Sequence, residues 1–167
     1  MASGRNEDAV AHFARALDCW RRITSHQRAE AIVHRQLGRA LSNLGRAEEA
    51  EEHLNTALAI FTQLGESYHQ ARTLYVIALS RLAGGQPEPA VEAVSRLERA
   101  LPLIEAEDHP LSLSELLTAL AVAYGRIGNE EQARSCVDRA AELQQQLGLA
   151  DSHPARAKTS LTASQLR

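Results

Sequence analysis

Aromatic side chains are scarce in this sequence, at 4% of residues, although apolar residues make up 44%. Alanine and leucine supply most of the apolar content, and β-branched residues are few. That shortage argues against a sheet core, which is built from Val, Ile, Thr and aromatics. Ala, Leu, Glu, Gln and Arg favour helices instead, packed closely enough for alanine to let backbones approach. No run approaches the ~18 apolar residues of a membrane-spanning helix. Met1 to Asp8 lacks a signal peptide's apolar stretch, so a cytoplasmic location is expected. Neither charge dominates: 18 basic and 21 acidic residues leave a net −3, with no global attraction to nucleic acid. The two cysteines, Cys19 and Cys136, stand far apart without a CxxC spacing, so reduced thiols are expected over a disulfide between them.

Signatures of chemistry are also missing. The sequence has no GxxxxGK[ST] or GxGxxG phosphate loop, no GxSxG elbow and no HExxH. Its seven histidines (His12, His26, His34, His53, His69, His109 and His153) include no pair three or four apart, the spacing that puts two ligands on one helix face. His34 and His53 fall on different helices of one pair and can meet, but no metal site and no cofactor is expected. Glu48, Glu49, Glu51 and Glu52 read as a solvated helix face. The chain is expected not to be an enzyme.

What is present is a repeat. From Gly38, the offsets +3, +7, +12, +16 and +19 give Leu41, Gly45, Ala50, Leu54 and Ala57. From Ala121 the same offsets give Tyr124, Gly128, Ala133, Val137 and Ala140, and from Ala78 they give Arg81, Gly85, Ala90, Val94 and Leu97. The small residue lets a neighbouring helix cross closely. The turn glycine ends the first helix by accepting the left-handed conformation. The short loop then makes the two helices antiparallel neighbours. Gly4, Ala9, Phe13 and Ala16 keep the spacing from a turn glycine onward, so the chain is expected to open on the second half of a unit. The expected layout is a repeat domain over 1–150, with a half unit at 4–24 and units at about 27–65, 68–107 and 111–148. Residues 151–167 form either a polar capping helix or a loose tail. The fold class is all-α: a right-handed α-solenoid of antiparallel helix pairs, with about seven or eight helices.

These positions resemble the tetratricopeptide repeat family across roughly Gly4 to Gly148. The starts of successive units lie 40 and 43 residues apart, longer than the family's usual 34. That long period, with ALAIFTQLG before ESYHQARTLYVIALSRLAGG, resembles the C-terminal repeats of bacterial, actinobacterial-like transcriptional regulators. Those regulators carry a nucleotide-hydrolysing switch domain and often a DNA-binding domain. The resemblance implies a protein-interaction or scaffold segment of such a regulator, taking a peptide or partner domain in a concave groove.

First helices line the concave face in stacked pairs, and here they hold Arg28, Arg35, Arg39, Arg72, Arg81 and Arg126 against Glu30 and Glu115. The groove is therefore expected to be basic and its partner acidic. Arg35, Arg39 and Asn43 make one stripe at spacing four. Arg72, Tyr75 and Leu79 on the next first helix, and Thr118 on the third, extend it as partner-binding residues. A second expectation is self-association into a homodimer through an uncovered apolar flank at Phe13, Leu17 and Trp20. Nucleic-acid binding is the least favoured alternative, because aromatics for base stacking are not interleaved with the arginines.

Overall fold

The computed structural model describes residues 2–20, 26–83, 87–149 and 153–165. Among these residues the chain forms eight helices and no strand: α1 (Ala2–Trp20), α2 (Gln27–Asn43), α3 (Ala47–Gln63), α4 (Ser67–Leu82), α5 (Pro87–Glu105), α6 (Pro110–Arg126), α7 (Glu130–Gln146) and α8 (Pro154–Gln165). They fall into two units, Met1–Ser80 and Arg81–Arg167.

In the first unit, the turn after α2 shows how the glycines act. Gly45 has φ +77°, and its N–H donates to the Ser42 carbonyl at 3.0 Å while the Arg46 N–H reaches back to the Leu41 carbonyl at 3.0 Å. This double closure satisfies the last carbonyls of the helix and needs a residue free to adopt positive φ. The same pair of bonds ends α3 at Gly65, and in the second unit it ends α6 at Gly128 and α7 at Gly148. Gly85 lies outside the described residues. Gly4 corrects the expectation: it sits inside α1 as a helical residue, not as a turn glycine.

The repeat positions are the core. Ala50, Leu54 and Ala57 of α3 are buried, and Leu54 faces Val76 and Ile77 of α4. Leu37 and Leu41 of α2 pack with Ala50 of α3 and with Leu17 of α1, supported by Val10, Phe13 and Val33. Gly38 meets α3 so closely that a Cβ there would lie 2.6 Å from Leu54 Cγ and 3.0 Å from the Ala50 carbonyl oxygen. Ser42 donates to Ser80 at 2.8 Å between α2 and α4.

In the second unit, Ala90, Val94 and Leu97 of α5 and Ala133, Val137 and Ala140 of α7 are buried, as are Leu116, Leu117 and Leu120 of α6. Pro110 opens α6, where a missing N–H costs nothing. Pro102 lies in the last turn of α5, where its missing N–H removes the helical bond to the Glu98 carbonyl. The Tyr124 hydroxyl donates to Glu98 at 2.6 Å, tying α6 to α5.

Residues 153–165 are helical but are seated differently from the other elements. The buried residues of α8 are small, namely Ala155, Thr159 and Thr162, and Leu161 points outward at 62% exposure. Hydrogen bonds hold the helix. Gln144 Nε2 donates to Thr159 Oγ1 at 2.8 Å, and Thr118 and Thr159 share a hydroxyl bond at 2.8 Å. Thr159→Val keeps the shape and leaves Gln144 and Thr118 without that partner, at a cost of about 1–3 kcal/mol. Amide exchange across α8 should then accelerate by about tenfold or more while α6 stays protected. Unchanged exchange in α8 would show that packing alone seats it.

Candidate functional site

The candidate surface lies in the first unit, on α2 and α4, and is built outward from a buried ring. Phe61, at the end of α3, is fully buried against Ala31 and Ala57. The Arg35 guanidinium lies over this ring, 5.4 Å from its centroid. His69, in the first turns of α4, stacks on the same ring at 4.8 Å with planes 24° apart. Arg35 Nη1 donates toward His69 Nδ1 at 3.2 Å and toward the His69 carbonyl at 3.5 Å. The Phe61 face and the His69 Nδ1 and carbonyl therefore fix the Arg35 guanidinium itself, a geometry that planar groups suit.

Two more cations stand near Arg35. Burial first, and then the like charge of Arg72 with a smaller share from Arg39, lowers Arg35 from its ordinary value to about 10. A guanidinium with that value keeps its charge at neutral pH. Arg39 and Asn43 are exposed along α2. Arg72 lies over the Tyr75 ring at 5.2 Å, and Leu79 is 40% exposed one turn beyond Tyr75. The structure thus brings Arg39 and Arg72 within electrostatic reach of Arg35 and places Asn43, Tyr75 and Leu79 on the same two helices.

Not every expected groove residue is available. Thr118 belongs to the second unit and is buried, bonded to the Ser114 carbonyl and to Thr159, so α8 covers it. Arg28 pairs with Glu66 at 3.2 Å and Arg81 with Glu92 at 3.5 Å. Arg126 donates to the Leu82 carbonyl. These three arginines serve the fold of their own units. The proposed self-association flank changes in the same way: Leu17 is a core residue against Leu37 and Leu41, with Phe13 packed beside it. Trp20 closes α1, and its side chain lies outside the described residues. His69 and Phe61 were missed in the sequence. The repeat gave no sign of them, since a 40-residue spacing matches Arg35 with Tyr75, whereas His69 follows Arg35 by 34 residues.

His34 and His53 do meet, with their Nδ1 atoms 2.9 Å apart. Among the described residues no group of three or more His, Cys, Asp or Glu is placed to hold a metal. Both cysteines are free thiols, and burial pushes Cys136 up, away from a reactive thiolate. No described helix is long and apolar enough to cross a membrane.

Helix pairs closed by left-handed glycines, with small residues at the crossings and an arginine-bearing face on the first helices, define a helical-repeat binding module. Models described as tetratricopeptide repeat match residues 29–106 and 114–147, more than half of the sequence between them, and the chain belongs to that family. It is a family of binding and scaffold modules, not of enzymes. "Regulatory protein RapG" of Bacillus subtilis (strain 168) is 29% identical over 98 residues, which is 59% of this chain and 26% of that relative. The chain therefore spans about a quarter of that protein's length. Among solved structures, BtubC from P. vanneervenii matches with TM-score 0.76 at 22% identity, over 90% of this chain and 61% of that one. A Rap protein complexed with competence and sporulation factor matches with TM-score 0.78 at 18% identity, over 99% of this chain and 42% of that one. A Podosopora anserina putative kinesin light chain matches with TM-score 0.73 at 22% identity, over 98% and 77%. At these identities the structures speak for the fold.

Proposed function

We propose that this chain is a protein-interaction module of a bacterial regulator, working in the cytoplasm, and that the α2–α4 face of its first unit takes an acidic segment of a partner. The observation that carries this is the arginine cluster: Arg35 is anchored on Phe61, with Arg72 and Arg39 within electrostatic reach of it. Like charges held together in partly buried surroundings are stabilised by an anion that neutralises them, and arginine's planar fork suits carboxylates. Tyr75 and the exposed Leu79 add an apolar side, so the segment best matched carries both carboxylates and an apolar residue. The likeness to a regulatory protein and to a Rap protein solved with a bound factor supports the regulatory assignment. In the fuller form of this proposal, a nucleotide-binding switch and a DNA-binding region belong to the same parent regulator.

Charge reversal tests it. Arg35→Glu with Arg39→Glu should weaken binding of a labelled acidic peptide on the order of a hundredfold, because juxtaposed like charges cost several kcal/mol. Arg39 is exposed, so Arg39→Glu alone should weaken binding with helicity and melting unchanged. Arg35→Met keeps a stem over Phe61 while removing the charge. Binding that survives all three substitutions excludes this face.

A further inference from the structure

His69 has a guanidinium at each ring nitrogen. Arg35 Nη1 lies 3.2 Å from Nδ1, and Arg28 Nη2 lies 3.2 Å from Nε2. A guanidinium only donates, and a neutral imidazole offers a single lone pair. One of the two arginines can therefore be accepted, while the other meets an N–H. Further charged and aromatic groups surround the imidazole. From α2 the charged groups are Arg28 and Arg35. From the turn before α4, Glu66 Oε2 lies 3.9 Å from Nε2, while Glu66 Oε1 pairs with Arg28 at 3.2 Å. On α4 itself the Tyr68 ring meets His69 edge-on at 5.3 Å, and Arg72 adds its charge around Arg35. α3 presents the uncharged Phe61 ring. The imidazole thus sits among more donors than acceptors, at the inner edge of the arginine cluster.

We infer that His69 couples binding at this face to pH: protonation of its imidazole withdraws the lone pair that holds Arg35, adds a positive charge beside it, and so tightens the grip on an acidic segment. This rests on the proposed function of the α2–α4 face and adds the regulation of that site. The sign follows from linkage. Without a ligand, the surrounding arginines oppose a further positive charge, and with carboxylates bound they oppose it less. The bound state therefore holds the proton more tightly, and binding takes up a proton from solvent. Affinity rises as pH falls through the range in which the imidazole takes up its proton, and levels off once free and bound states are both protonated. His69 is a positioning residue here, because it acts through Arg35.

The test uses a fluorescein-labelled decaglutamate peptide at constant ionic strength, titrated at pH 7.5 and 5.8 into the wild-type chain and into His69→Gln. Glutamine keeps a donor and an acceptor but does not titrate in this range. The peptide's own ionisation is common to both chains and cancels in their ratio. The expected result is a tightening of about fivefold in the wild type, the scale of one added charge acting across several ångströms at a protein surface, and a flat response in His69→Gln. Calorimetry in two buffers of different ionisation heat should show fractional proton uptake in the wild type that His69→Gln loses. An equal pH response in both chains overturns the role of His69 and leaves the face itself standing, provided Arg35→Glu with Arg39→Glu still abolishes binding. A peptide bound equally well by that charge-reversed chain overturns the face, and the inference with it.

Discussion

Phe61→Ala should destabilise the first unit by about 4 kcal/mol, within the 3–5 kcal/mol typical of deleting a buried aromatic ring. The ring is fully buried, and its buried neighbours Ala31 and Ala57 have no side-chain length with which to fill the space, which leaves only the partly buried Ile32 and Ile60 among the apolar side chains of that cluster. Sites that cannot collapse stand at the costly end of such series. Phe61 is also the platform under Arg35 and the stacking partner of His69. The same change should therefore weaken peptide binding even below the temperature at which the unit melts. Phe61→Leu separates the two effects, because it restores most of the volume but not the flat face. Denaturant unfolding followed by circular dichroism measures the first, and the peptide titration measures the second. A loss of less than about 1 kcal/mol would mean that α2 and α4 can close over the gap, contrary to the packing described here.

Gly38→Ala is the second large effect, and its sign is the point. In an exposed helix interior, alanine in place of glycine gains roughly 0.5–1 kcal/mol through helix propensity. At Gly38 the added methyl would meet Leu54 Cγ at 2.6 Å and the Ala50 carbonyl oxygen at 3.0 Å. Leu54 is 1% exposed, so its branch point has nowhere to retreat, and the carbonyl is part of the α3 ladder. Overpacking of this kind costs typically 1–3 kcal/mol, so a net loss of about 2 kcal/mol is expected on thermal or chemical unfolding. Combining Gly38→Ala with Leu54→Ala should cost less than the sum of the single changes, by about 1 kcal/mol, because one cavity accepts the other's methyl. Stabilisation by Gly38→Ala, or strict additivity in the pair, would rule out the close crossing of α2 and α3.

The sequence made the crossings and turns legible because they depend on local chemistry. A glycine that must adopt positive φ, as Gly45 does, cannot be replaced cheaply, and it marks its turn at a fixed distance from the small crossing residue Gly38. Gly4 misled for the same reason. Its spacing to Ala9 and Phe13 imitates a turn, yet an isolated glycine is tolerated within a helix, and α1 runs through it. The arginine face was only partly legible. Periodicity placed Arg35 and Arg39 on one stripe, but it gave no sign that Arg28 would be drawn to Glu66 or Arg126 to the Leu82 carbonyl. Partner choice of that kind is settled by side-chain reach between helices, which a one-dimensional spacing does not contain. Thr118 failed as a surface residue because α8 hides it. That helix carries almost no hydrophobic signal: its contact is a threonine paired with a threonine and a glutamine.

The left-handed turns also bear on how the chain acquires its shape. Each turn closes within a few residues, and the inter-helix hydrogen bonds named above join residues no more than 44 positions apart, the longest being Arg126 to Leu82. Little chain must be searched before a contact forms, and folds of this kind assemble rapidly because loop closure over short separations is entropically cheap. A helix pair needs only itself and its predecessor, so during synthesis α1 to α3 can consolidate while the segment beyond Gly65 is still being made. A ribosome-stalled series lengthened a few residues at a time should gain protease resistance in steps, one for each completed pair, and not in a single jump at full length.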